Sequence, residues 1–442
     1  MATGVTKSKL KVVPSRTITD EIPLPRANAA VSLTYEGKMD VESILQPTSQ
    51  AFLKVDKQGN VKGAGTAKPN TLIVGDNYFA LKHLLHASAS KVDLIYLDPP
   101  FGTGFAFQSR SLDHAYRDDM ALAPYLEFMR RRLVLMRELL SDRGSIYLHI
   151  GHQQVFHLKV ILDEVFGREN FRNLIVRRKC SSKNYTRKQY ANLNDYILFY
   201  SKTSEYTWNQ PSQPASKEWI DREYSFHDNK GRYKLVPVHA PGTRNGECGK
   251  PWRGKLPPKG KHWQFLPSKL DEFDANGEIH WSKNSNPRRK VYLPTDKSLP
   301  LTDYWDMFKD AHHQSIKITG YPTEKNLDLV KTIIGASSNP GDLVLDPFAG
   351  SGTTLHAAHD LQRSWIGIDE SLTAVKTILT RMRDGLFAMG DYVERSPSAD
   401  LLASLDIPPV VAKVALHARF DVIVDEALYE QSATEFAAVF EP

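Results

Sequence analysis

At 442 residues, 41% hydrophobic and 24% charged, the chain is long enough for two or three domains, or for one elaborated α/β domain with a large insertion. No uncharged apolar run approaches the ~20 residues of a membrane span, and the N-terminus lacks a signal-type apolar core. Cys180 and Cys248 are the only cysteines and neither has a CxxC partner, which excludes a disulfide framework, argues against a cysteine zinc site and fits a reducing cytoplasm. The net charge of +6 is unevenly spread: residues 172–317 carry 27 Lys and Arg against 15 Asp and Glu, the rest 30 against 36. A basic block in an otherwise acidic chain points to a polyanion surface, and the aromatics interleaved in it (Tyr190, Trp208, Trp252 and Trp263 among them) suggest base stacking.

In chain order, residues 1–50 read as a partly ordered N-terminal arm. Residues 51–171 read as a first α/β half. Thr71–Gly75 is a short strand, and Gly75-Asp76-Asn77 turns into an amphipathic helix. The apolar run Val92–Leu97 is a buried strand closed by Asp98-Pro99-Pro100-Phe101. Residues 102–120 read as a loop. Leu126, Met129, Leu133, Met136 and Leu140 recur at helical spacing, with Arg130, Arg131, Arg132 and Arg137 turned partly outward. Ser145–Ile150 is a strand, Val155–Phe166 a helix, and Tyr196–Tyr200 a strand.

Periodicity then fades over residues 201–315, as expected of an inserted domain of short strands and loops. It returns in a helix from Asn326, a strand Leu343–Leu345, a helix from Thr353 and a strand Trp365–Ile368 ending at Asp369. Residues 319–394 form the second α/β half, and 395–442 a C-terminal extension. The β-α-β alternation on both sides of the insertion predicts a doubly wound, mostly parallel Rossmann-like sheet.

Two strand ends carry the chemistry. Asp346-Pro347-Phe348-Ala349-Gly350-Ser351-Gly352 joins a strand to a helix, so glycines allow close backbone approach and the helix start offers N–H groups. Asp369, at the end of the next strand, suits ribose hydroxyls. A dinucleotide site calls for a third glycine near position 355. Leu355 stands there, which favours S-adenosylmethionine over a pyrophosphate cofactor.

At the other strand end, Asp98 and the Pro99 carbonyl can accept the two N–H bonds of an exocyclic amine on a base, freeing the nitrogen lone pair. The prolines hold the backbone extended, and Phe101 offers a stacking face. His149, His152, His312 and His313 suggest a metal, but His312 and His313 cannot easily face one ion in an extended segment and nearby carboxylates lack recognisable ligand spacing, so no metal is expected.

These residues resemble the β class of DNA amino-methyltransferases, in which a DPPF-type motif precedes an FAGSG-type motif. The resemblance runs from about 71 to 385, interrupted by the insertion. It implies that Asp76 and Asn77 meet the adenine of S-adenosylmethionine, and that Asn194–Lys202 lines the target-base pocket within the core sheet. It also implies that Tyr321-Pro322-Thr323-Glu324-Lys325-Asn326 covers the cofactor's methionine end, with Glu324 where the family has Gln and Asn326 where it has Pro.

The expected cofactor set is therefore Asp76, Asn77, Thr323, Lys325, Asp346, Phe348, Gly350, Gly352 and Asp369. The catalytic set is Asp98, Pro99, Pro100 and Phe101. Thr103-Gly104 and Tyr116-x-Asp118 further resemble type III restriction modification subunits and their orphan relatives.

A flipped base in double-stranded DNA is implied, with residues 172–318 as target recognition region and Arg177, Arg178, Lys179, Arg187 and Lys188 as candidate DNA contacts. Asp before the double proline accompanies adenine N6 more often than cytosine N4. Cytosine-N4 or RNA methylation with the same fold is the second reading, and a non-catalytic DNA-binding subunit of a restriction or defence complex the third. A homodimer is expected from the resemblance alone.

Overall fold

The computed structural model describes residues 31–440, except 57–58, 65–69, 88–91, 102–104, 109–113, 119, 181–187, 189, 309–323 and 387–417. Its centre is an eleven-stranded sheet. The strands, in chain order, are β1 (Phe52–Val55), β2 (Val61–Ala64), β3 (Thr71–Val74), β4 (Val92–Leu97), β5 (Leu140–Ile150), β6 (Phe171–Arg178), β7 (Asn194–Ser201), β8 (Tyr304–Trp305), β9 (Leu343–Asp346), β10 (Ser364–Asp369) and β11 (Asp421–Asp425). They lie in the order β8-β6-β7-β5-β4-β9-β10-β3-β11-β1-β2. The run β5-β4-β9-β10-β3-β11 is parallel throughout. β7 and β1 run antiparallel to the strands beside them.

The parallel strands are apolar on both faces because helices cover both. Ile95 and Leu97 enter one buried cluster, while Leu94 and Tyr96 enter the other. Helices α1 (Asn77–Ala87), α2 (Leu122–Leu139) and α3 (Val155–Phe166) serve the first cluster, and α4 (Leu327–Ser337), α5 (Thr353–Asp360), α6 (Leu372–Asp384) and α7 (Glu426–Val439) the second.

Several expectations are corrected. The C-terminal extension is no appendage: β11 inserts in the core sheet, parallel to β3 and antiparallel to β1. The first half also gains β1 and β2, which lack a long period-2 pattern. The partly ordered N-terminal arm needs no such correction: in it, Tyr35 Oη and the Met39 backbone N–H donate to Glu127, at 2.8 and 3.0 Å. Residues 105–108 and 114–118 pair as an antiparallel hairpin where a loop was expected.

The region 172–318 is not separate from the core, since β6 and β8 belong to the main sheet as well as β7. Between β7 and β8, Phe226–Asp228, Gly231–Pro237, Pro287–Tyr292 and Ile279–Trp281 form a four-stranded antiparallel sheet. Its own small core holds Val238, Trp252, Trp263, Leu270, Phe273 and Ile279. Among the aromatics of the basic block, Trp252, Trp263, Trp305, Tyr224 and Tyr233 are buried and serve packing, Trp219, Trp281 and Tyr292 are partly buried, and Tyr190 and Trp208 are exposed.

Candidate active site

The register of β4 against β9 pairs Leu94 with Val344 and Ile95 with Leu345, so the turns that follow, about 250 residues apart in the chain, open side by side at the carboxyl edge of the sheet. β10 and β3 continue the row, pairing Asp369 with Val74. This edge is where open α/β sheets bind ligands.

On the cofactor side the turns are stitched together. The Gly75 N–H donates to the Asp369 carbonyl at 3.0 Å, and Asn77 Nδ2 to the Pro347 carbonyl at 2.7 Å. Gly350 (φ 48°) and Gly352 (φ 74°) take left-handed conformations that glycine adopts without strain. Asp369 receives the Gly350 and Ser371 N–H groups at 2.8 and 2.9 Å. Phe348 packs with its ring centroid 6.1 Å from that of Phe128. Loss of water raises the Asp346 carboxyl to about 7 and that of Asp369 to about 6, with hydrogen bonds opposing the rise in both.

Leu355 is buried against β10, and a Cβ at Gly367 would fall 2.6 Å from Leu355 Cδ1. The close helix–strand approach that a dinucleotide fold makes with a helix glycine is made here by a glycine on the strand.

One organiser was missed in the sequence. Arg132, expected to face partly outward, is buried, as is Arg130. Its guanidinium lies 2.9 Å from Asp76 Oδ1, donates to Asn77 Oδ1 and stacks 3.5 Å from the Phe128 ring centroid. Burial lowers it to about 10, still cationic at neutral pH. The signal was its three-residue step from Met129, on the buried face of α2.

On the catalytic side Asp98 follows β4. Its Oδ2 is 2.5 Å from Lys325 Nζ, while Oδ1 is buried and has no hydrogen-bond partner among the described residues. Pro99 is buried, and Tyr125, another residue the sequence reading passed over, donates to the Pro100 carbonyl at 2.7 Å. Phe101 sits under Lys325, whose Nζ is 5.4 Å from the ring centroid, and against Gly151, where a Cβ would come within 3.0 Å of Phe101 Cδ2. Lys325, expected with the cofactor set, therefore stands at Asp98.

Behind Phe101 lies a buried polar chain. Tyr96 Oη and His149 Nδ1 are 2.8 Å apart, and His149 Nε2 is 3.7 Å from Asp195 Oδ2. Desolvation holds His149 below its usual pKa. Desolvation alone would raise Asp195, but His149 and Lys179 hold it well below the carboxylate range.

Arg177 must be withdrawn from the DNA contacts. It is fully buried, donates to the Phe308 carbonyl at 2.8 Å and lies 3.6 Å from Asp195. Lys179 is held by Asp195 at 2.7 Å and Arg178 donates to the Cys180 carbonyl at 3.2 Å, whereas Lys188 is exposed. Arg187, Thr323, Thr103, Gly104, His312 and His313 lie outside the described residues, as do the side chains of Tyr116 and Asp118. Among the described residues no helix is long and apolar enough to cross a membrane, and no three metal-type ligands cluster.

A glycine turn walled by carboxylates, next to an Asp-Pro-Pro-Phe turn on the neighbouring parallel strand, defines a methyltransferase-type site. Residues 92–380 match the DNA methylase family N6_N4_Mtase, and the chain belongs to that family. It is 54% identical over 419 residues to the type II methyltransferase M.EcaI of Enterobacter cloacae, covering 95% of this chain and 92% of that one. It is 30% identical over 365 residues to the type III restriction-modification enzyme StyLTI Mod subunit of Salmonella typhimurium, covering 72% of this chain and 55% of that longer protein. Among solved structures, the M1.HpyAVI-SAM complex aligns at 18% identity over 70% of this chain and 99% of that one, with a TM-score of 0.36. The protein is a DNA methyltransferase.

Proposed function

We propose that the protein methylates adenine N6 in double-stranded DNA, using S-adenosylmethionine and a base flipped out of the helix. The observation that carries the reading is Asp98 Oδ1, a buried acceptor without a partner among the described residues, beside the turn of the neighbouring strand β9. An exocyclic amine offers two N–H groups to such acceptors, and a base reaches them only when extruded from the stack.

The cofactor side fits a nucleoside sulfonium. Asp346 and Asp369 present carboxylates, which suit hydroxyls and a positive centre and would repel a pyrophosphate. When bound, S-adenosylmethionine supplies an electrophilic methyl group. Asp369 and the Gly350–Gly352 turn hold its nucleoside end, with Asp76 and Asn77 set by Arg132. Asp98 accepts from the base nitrogen, which becomes acidic as its new bond forms, so orientation and charge stabilisation matter more than base strength. Phe101, backed by Gly151 and His149, offers the face on which the base lies.

Adenine is preferred over cytosine because Asp, rather than Ser, precedes the double proline. Incubation with methyl-labelled cofactor and duplex DNA, followed by nucleoside analysis, tests this. N6-methyladenine is the expected product; N4-methylcytosine alone would overturn the base assignment, and DNA binding without any methylation would favour the non-catalytic reading. Sequencing of the methylated DNA then gives the site.

The higher identity to the type II methyltransferase M.EcaI than to the StyLTI Mod subunit supports a type II methyltransferase over a type III subunit. A homodimer is expected from the resemblance alone, and a cytoplasmic location from the cysteine usage; sedimentation of the full chain tests the assembly.

A further inference from the structure

Two adjacent residues reach into opposite halves of the site. Glu324 is 5% exposed, and its Oε1 accepts from Arg381 Nη1 at 2.9 Å; Arg381 is itself 1% exposed. The same guanidinium donates to the Ser351 carbonyl at 3.1 Å, to Ser351 Oγ at 3.3 Å, to Thr353 Oγ1 at 3.0 Å and to His356 Nδ1 at 3.1 Å. Glu324 is therefore tied to the cofactor turn and the start of α5. Lys325 points the other way, to Asp98. Asn326 then ends the segment by capping α4, its Oδ1 accepting from the Leu329 N–H at 3.1 Å.

A buried ion pair adds little stability compared with an apolar pair of the same shape, because both charges lose water. Its value here is placement. Lys325 has a long, rotamer-rich stem, and its ammonium can hold one oxygen of Asp98 only if its backbone is fixed.

We propose that Glu324 is a positioning residue for methyl transfer: clamped by Arg381 to the glycine turn of the cofactor half, it sets the backbone from which Lys325 orients Asp98 in the catalytic half. The proposal rests on the reading of Asp98 as acceptor for the base amine. The two halves are thereby coupled through one peptide unit, and a Gln at 324, as in the family resembled, would keep the shape while leaving the Arg381 charge unbalanced.

The test compares Glu324→Gln, Lys325→Met and the double variant in steady-state methylation. Glu324→Gln is expected to lower kcat about tenfold, in line with the sensitivity of rate to small misplacement. The double variant should be no slower than Lys325→Met alone, because both act through the same Asp98 contact. A merely structural role would make the two losses multiply.

A second readout is independent of turnover. Lys325, whose side chain is 10% exposed, should resist acylation by an amine-reactive probe in the wild type and label several-fold faster in Glu324→Gln, as mapped by mass spectrometry. If Glu324→Gln fails to fold, Glu324→Gln/Arg381→Met removes both charges and should fold with the same kcat deficit and the same faster labelling.

Multiplying losses, a wild-type kcat in Glu324→Gln or unchanged labelling would overturn the proposal. Asp98→Ala separates the two readings: if it methylates normally, the reading of Asp98 fails; if it is inactive while Glu324→Gln is unimpaired, only the positioning role fails.

Discussion

Asp369 accepts a hydrogen bond from the Gly350 N–H at 2.8 Å, which ties the end of one parallel strand to the glycine turn of its neighbour. Its other oxygen accepts from the Ser371 N–H, so two backbone donors fix the orientation of the carboxylate. Loss of water places it at about 6, so it gains a proton as pH falls through that value. Affinity for S-adenosylhomocysteine, measured by calorimetry, should be constant above about pH 7 and weaken below about pH 6, since a protonated acid is a poorer acceptor for ribose hydroxyls. Asp369→Asn should bind more weakly at neutral pH and show a flatter profile.

Asp346 carries a stability cost. Its folded pKa, raised to about 7 by burial, lies above the unfolded value of 3.8, so the folded state binds more protons between the two. The penalty is fully present above about pH 7 and disappears as pH falls through the window toward the unfolded value. Asp346→Asn should stabilise the ligand-free protein by up to about 4 kcal/mol at pH 8, on a scale of about 1.4 kcal/mol per pKa unit, and by almost nothing near pH 4. Thermal unfolding at several pH values checks this; a stabilisation that grows toward low pH would contradict it.

Arg132 sets the Asp76-Asn77 turn from α2. Arg132→Met removes the partner of Asp76 and a donor to Asn77, and should raise KM for S-adenosylmethionine about tenfold or more, as befits the loss of charge-assisted hydrogen bonds. Affinity for DNA in the absence of cofactor should stay within about threefold, a span below 1 kcal/mol.

Asp98→Asn keeps the shape of the acceptor and discards its charge. A drop in kcat of about 10²–10³ is expected, the scale for losing one preorganised electrostatic group. DNA affinity measured by anisotropy should change little. Unchanged turnover would remove Asp98 from the reaction.

Arg177 and Lys188 were indistinguishable as basic residues but should behave oppositely. Arg177→Met leaves the Phe308 carbonyl without its donor and removes one of the cations beside Asp195, which Lys179 still holds, and should lower stability by about 1–3 kcal/mol, the cost of a buried acceptor left unsatisfied. Lys188→Ala should leave stability within about 0.5 kcal/mol, as at most exposed sites. If Lys188 contacts a phosphate, it should weaken DNA binding and reduce the salt slope by about 1.

The parallel sheet and its two chemical turns were legible because both are local. The apolar run Val92–Leu97 and the turn Asp346–Gly352 announce themselves within a few residues. The end of the chain was not legible, since β11 is five residues long and its partners β3 and β1 lie about 350 and about 370 residues away. The arginines of α2 were misread in part because charge suggests exposure, while Arg130 and Arg132 are buried against Glu164 and Asp76. Counting basic residues likewise could not separate Arg177, inside the sheet, from Lys188, outside it.

Sequence by itself determined the class of fold, the order of the Asp-Pro-Pro-Phe and glycine turns along the chain, and the presence of a basic insertion, because periodicity, glycine and proline placement act over short stretches of chain. Only the tertiary structure decided who meets whom. Lys325 reaches Asp98 rather than standing with the cofactor turn, Arg132 organises Asp76, and Glu324 binds Arg381. These contacts depend on strand order and on burial, where a charge must find a partner or lose its water at high cost, and neither is written in the spacing of residues along the chain.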